Sequence, residues 1–281
     1  MVDRPLCRYT HTWRWFLMRV EIDGISKSYV DSAGAPLHVV GGLTASIEQG
    51  EFVCIIGPSG CGKSTLLGML GGLLPPDAGT IRFSGDRTAT GEMTSIVWQD
   101  YALIPWRSII DNVAFGLEVR GVGKQERKAI AQGYLETMGI GAFANAQPKQ
   151  LSGGMRQRAG IARALASDPE VLLMDEPFAA VDAQTRTLLQ EELLTVWENH
   201  RKTVIFITHG IEEALLLADR VLVLSGRPTK VVEDLKVPFA RPRTADIAQT
   251  PEFGELKQHL WERLRDATRA AEWAEVEGAN S

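Results

Sequence analysis

The chain has 281 residues, 23% of them charged and 44% hydrophobic, with a formal net charge of −5. That length supplies one large domain or two small ones with a substantial core, and the acidic balance gives no global support to a nucleic-acid partner. No apolar run reaches the roughly 20 residues of a membrane span, and Cys7, Cys54 and Cys61 lack the spacing of a disulfide framework or zinc site, which fits a reducing cytosol.

Residues 1–18 read as an N-terminal extension. Within it TWRWFLM is too short, and too broken by Arg14, for a signal sequence, and Met18 directly precedes the first strand-like run. Residues 19–56 carry RVEIDGISKSYV, PLHVVGGLTASIE and EFVCIIG, the last running into a glycine loop. A helix over 62–71, a turn at PPDAG and strands at TIRFS and SIVWQ follow. Helical periodicity fills 101–167, a helical subdomain over about 100–167. Short apolar runs then return as VLLMD, TVIFIT and RVLVLS, separated by helical segments 183–200 and 211–218. Strands alternating with helices predict a mostly parallel α/β sheet covered on both faces. Residues 231–281 form a tail, where Phe253, Leu256, Leu260, Leu264, Ala267 and Ala271 share one helical face. That face packs on its own body or meets a partner.

The loop Gly57, Pro58, Ser59, Gly60, Cys61, Gly62, Lys63, Ser64 matches G-x-x-x-x-G-K-[ST], between an apolar strand and a helix. Glycines let backbone N–H groups curve around phosphates, and the helix start adds partial positive charge. Lys63 would reach the β- and γ-phosphates of a bound nucleotide, and Ser64 would ligate Mg²⁺. The strand VLLMD ends in Asp175 and Glu176. At the carboxyl edge of such a sheet, Asp175 would lie near the Mg²⁺, through water, and Glu176 would polarise an attacking water. His209 and Gln99 end two other strands at the same edge. His209 would contact the γ-phosphate there, and the Gln99 amide would hold a metal ion or water. A second anion-binding helix start lies at LSGGMRQR, where Ser152 is a good N-cap.

GPSGCGKST, Gln99, LSGGMRQR, VLLMDEP, AAVD and the histidine of ITHGIEEA occur in one order between residues 19 and 225. In this the chain resembles the ATP-binding cassette (ABC) ATPases. The resemblance implies a P-loop NTPase fold over 19–230: a RecA-like, mostly parallel sheet with an N-terminal antiparallel β part and the inserted helical subdomain. It implies ATP and Mg²⁺ as cofactors, nucleotide contacts extending to Thr65, and a catalytic set of Lys63, Gln99, Glu176 and His209. It also implies a head-to-tail dimer, in which Ser152, Gly153 and Gly154 cap the γ-phosphate held by the second copy. Tyr29 stands where the family stacks an aromatic on adenine, though a strand-core tyrosine reads the same. Asp182 matches an acid that crosses the dimer interface, and equally an N-cap of 183–200. Two positions depart from the family pattern: Gly210 stands where Asp is usual, and Met155 where Gln is commoner.

The stretch VWQDYALIPWRSIIDNVAFGLEVRGV, the run PFAAVDAQTR and the tail around ARPRT are similar to the importer branch for nitrate, sulfonates and taurine. Such importers imply transmembrane permease subunits, an extracytoplasmic binding protein and a peripheral site on the cytoplasmic face of the membrane. Tyr101 to Trp106 then either receive a permease helix or pack the lobe's own core. The readings set against this one are an exporter or lipid-extraction ATPase, a soluble ABC ATPase, a phosphotransferase and a nucleotide-gated binding module.

Overall fold

The computed structural model describes residues 18–31, 34–84 and 93–279. The predicted extension, with Cys7, lies outside them apart from the buried Met18.

Two long alternating strands open the fold, β1 (Arg19–Val30) and β2 (Pro36–Ile47), paired antiparallel with Val20 opposite Ile47. The fully buried β3 (Phe52–Ile56) leads through the glycine loop into α1 (Lys63–Leu70). Strand β4 (Ala78–Ser84) returns to pair with β1, completing a three-stranded antiparallel sheet of order β2-β1-β4. After β5 (Thr94–Val97) come the helices α2 (Ile109–Val113), α3 (Phe115–Val119), α4 (Lys124–Thr137) and α5 (Gly153–Ala166). Then β6 (Val171–Asp175), α6 (Ala183–His200), β7 (Thr203–Ile207), α7 (Ile211–Leu217) and β8 (Arg220–Leu224) alternate. The chain ends with β9 (Val231–Lys236) and α8 (Pro251–Ala279).

The main sheet has the order β5-β6-β7-β3-β8-β9 and is parallel except for β9, which pairs antiparallel with β8. Its inner strands bury both faces, so their sequences are apolar throughout and split by a period of two. Phe52, Cys54, Met174, Phe206 and Val223 join the core beneath α5, α6, α7 and α8. Val53, Ile55, Leu173, Ile207 and Leu222 face the other way, against α1 and the antiparallel sheet.

Two features differ from the sequence reading. Val231–Lys236, left in the tail, is the edge strand of the main sheet, and its alternating burial is that of an edge with one face covered. The buried side chains of the helical lobe also run continuously into the core under the sheet. Leu135, Met138 and Ile140 belong to the same apolar cluster as Phe52 and Phe206, because Ile161 and Ala162 of α5 are buried between them. Helix α8 packs on its own body: Phe253 and Leu260 are buried, and Glu233 of β9 pairs with His259 at 2.6 Å and Arg263 at 2.9 Å.

Candidate functional site

Parallel register carries four chain segments to one edge. Ile55 of β3 and Asp175 of β6 both lie opposite Ile207 of β7, and Val97 of β5 lies opposite Met174. The loop from Gly57, the Asp175–Glu176 pair, His209 and Gln99 therefore all leave the sheet at its carboxyl edge, where open α/β sheets bind ligands.

The glycine loop is shaped from below and behind. Gly62 has φ of 115°, and a Cβ there would come within 2.7 Å of Val39 Cγ1. Gly57 is closed in equally: a Cβ would lie 2.9 Å from the Leu224 Cβ. Lys63 is buried and its ammonium folds back over the loop, donating to the carbonyls of Gly57 at 2.9 Å and Pro58 at 3.0 Å. Ser59, Gly60 and Ser64 are exposed, Thr65 half-buried. Burial pushes the Cys61 thiol up, so Cys61 acts as a packing group rather than a nucleophile. Two supports come from far along the chain and carry no sequence signal. Arg227 donates to the Gly60 carbonyl at 2.6 Å, and the Thr229 hydroxyl donates to the Cys61 carbonyl.

Asp175 is buried, and desolvation pushes its carboxyl above the ordinary aspartate range, against a hydrogen bond from Ser64 and the positive charge of Lys63. A serine hydroxyl beside one desolvated carboxylate is the hard-oxygen donor set that Mg²⁺ accepts while keeping several waters and taking phosphate oxygens. Ser64 and Asp175 thus fit the metal, with the exposed Gln99 amide at the same edge. A bound Mg²⁺ would neutralise charge on the phosphate oxygens. The raised pKa has a stability consequence. A carboxyl that binds its proton more tightly when folded makes folding less favourable as pH rises through its folded pKa. Asp175→Asn is therefore expected to raise the melting temperature of the nucleotide-free protein at pH 8. The gain should vanish below the ordinary aspartate range. Melting curves at pH 3 and pH 8 check the sign.

Glu176 sits at φ of 45°, a left-handed backbone that costs a non-glycine residue about 1–2 kcal/mol. Its N–H is held by the Ile207 carbonyl at 3.0 Å, so the strain re-aims the side chain beyond the strand end. There its carboxylate meets His209 Nε2 at 2.5 Å. One carboxylate oxygen, Oε1, is engaged by the imidazole.

Ser152 caps α5, accepting from the Met155 N–H at 3.3 Å. Atoms near a Cβ at Gly153 or Gly154 belong to Tyr101, Ala180 and Thr185, not to the phosphate loop of the same chain. The start of α5 and the glycine loop are thus separate within one protomer. Tyr29, at the end of β1, is 39% exposed, so its ring is not a core group. Asp182 does cap α6, accepting from Thr185 N–H at 3.0 Å, and that bond holds its carboxyl below the ordinary range. No helix among the described residues is long and apolar enough to cross a membrane.

A family model described as ABC transporter matches residues 40–179. The taurine import ATP-binding protein TauB of Pseudomonas aeruginosa is 42% identical over 90% of this chain and 98% of its own length. The bicarbonate transport ATP-binding protein CmpD of Synechocystis is 43% identical over 86% of this chain and 88% of its own. Among solved structures, a dimeric post-hydrolysis ATP-binding cassette bound to ADP and Pi superposes with a TM-score of 0.69 at 31% identity, covering 79% of this chain and all of that one.

Proposed function

This chain belongs to the ABC transporter ATPase family, and from that premise we propose that it is the ATP-hydrolysing motor of an importer for a small solute of the nitrate, sulfonate, taurine or bicarbonate kind. The importer reading is carried by the 42% identity to a taurine import ATPase across 90% of the chain. The turnover reading is supported by the shared edge of Lys63, Ser64, Asp175, Glu176 and His209.

In this reading the loop from Gly57 to Thr65 wraps the ATP phosphates and Tyr29 stacks on the adenine. Lys63 moves from its two loop carbonyls to the β- and γ-phosphates. Ser64, Asp175 and Gln99 would hold Mg²⁺, which would supply charge neutralisation at the phosphates. Glu176 takes the proton of an in-line water, and His209 contacts the γ-phosphate and steadies Glu176. Positioning and charge stabilisation supply most of the acceleration. A second copy completes each site with Ser152, Gly153 and Gly154. Two copies, two permease subunits and an extracytoplasmic binding protein make the working assembly, which holds this chain at the cytoplasmic face of the membrane.

The permease contact is supported by Trp106, which is 78% exposed. It is displayed by a turn that the buried Asn112 stiffens, accepting from Ile104 N–H at 2.7 Å and donating to the carbonyls of Ile104, Arg107 and Ser108. A ring so placed contributes little to the fold. Trp106→Asp is expected to lower solute uptake by the assembled complex more than about tenfold and basal ATPase less than about twofold, as loss of an interface anchor predicts. Equal losses would return Trp106 to the lobe's own structure. The solute is tested by reconstituting the motor with its permease and binding protein, then measuring ATP turnover with taurine, alkanesulfonates, nitrate and bicarbonate in turn. Stimulation by none of them would remove this solute class.

A further inference from the structure

His209 lies in the three-residue link between β7 and α7, and its side chain is 48% exposed. Helix α7 begins without a side-chain cap, since Gly210 occupies the N-cap position. The link is fixed by another route. The buried Thr208 hydroxyl accepts the Gly210 N–H at 2.9 Å and donates to one oxygen of Glu213. The other oxygen of Glu213 accepts from the Gln190 amide on α6 at 2.8 Å. Glu213 is the third residue of α7, where a capping-box glutamate reaches back to the N-cap N–H. Here it reaches that N–H through the threonine hydroxyl. The residue before His209 and the residue after it are therefore tied to one oxygen atom. Burial pushes the Glu213 carboxyl up, so the group sits there at a desolvation cost.

We infer that Thr208 and Glu213 are positioning residues which, in place of a side-chain cap at Gly210, hold His209 in the orientation that meets Glu176. This deepens the hydrolytic reading and rests on His209 belonging to the ATP site.

The test is a double-mutant cycle on the full-length chain, with ATP turnover measured against ATP concentration. Thr208→Val is expected to lower kcat about tenfold with KM for ATP within about twofold, and Thr208→Ser to restore it, the pattern of a lost transition-state contact. His209→Ala lowers kcat further, and adding Thr208→Val to it changes nothing more. An unchanged kcat in Thr208→Val, or the same fold-loss in both backgrounds, overturns the inference while leaving His209 in the site. Wild-type turnover by His209→Ala removes the histidine's role and the inference with it. If Thr208→Val does not fold, Glu213→Gln replaces it in the same cycle, because the amide keeps the volume and one acceptor.

Discussion

Glu176→Gln is expected to bind ATP with an affinity within about threefold of wild type, to turn it over at least ~100-fold more slowly, and to accumulate as a stable dimer. The size follows from what a positioned general base contributes, about 10²–10⁴ in rate. The glutamine keeps the side-chain volume and one acceptor for His209, so the site should keep its shape. What it loses is the carboxylate oxygen not engaged by the imidazole 2.5 Å away. The Lys63 ammonium bonds to the carbonyls of Gly57 and Pro58, whereas Glu176 pairs with His209. Binding and chemistry should therefore separate. Gel filtration with MgATP and single-turnover hydrolysis check both halves. Wild-type turnover in this variant would remove Glu176 from its role as base.

Two inactive variants are expected to regain turnover when mixed. Lys63→Ala removes the ammonium from the phosphate loop, and Gly153→Asp puts a carboxylate at the helix start proposed to cap the other copy's γ-phosphate. Each alone should retain less than ~5% of wild-type turnover, as loss of a preorganised phosphate contact predicts. A mixed dimer contains one site with both lesions and one site with neither, so an equimolar mixture should recover at least several-fold more than either parent. Gly153 suits the test. The nearest atoms to a Cβ there, the Tyr101 hydroxyl at 3.4 Å and the Ala180 carbonyl at 3.8 Å, are at ordinary contact distance. An acid in the first turn also suits the helix macrodipole, so the fold should tolerate it. Gly154 would be a poor choice, with Thr185 Cγ2 2.8 Å from its Cβ position. A mixture no more active than its parents would mean that each protomer works with its own helix start.

The site was legible where the chemistry is local. Gly57 to Ser64 announces itself because a phosphate loop needs consecutive backbone N–H groups, so its residues must be contiguous. Asp175 and Glu176 announce themselves because an apolar strand must end at the ligand edge. Arg227, Thr229 and Glu213 gave no such signal. Arg227 braces Gly60 across 167 residues of sequence, and nothing in the order of residues marks that contact. Tyr29 and Asp182 each had two readings. Solvent exposure removed the core reading of Tyr29, and a direct bond to Thr185 gave Asp182 its capping role.

By itself the sequence determined the elements and the edge at which their ends gather, since burial on both faces forces apolar runs of strand length and glycines must stand where backbone approaches phosphate. Only the tertiary structure decided that β9 belongs to the sheet, that the helical lobe shares the main core, and that the LSGG helix start lies beside Tyr101 and Thr185 rather than its own phosphate loop. Those outcomes depend on which surfaces meet. A half-buried edge strand, an alanine-rich helix face and a capped glycine pair look alike in sequence whatever they are packed against.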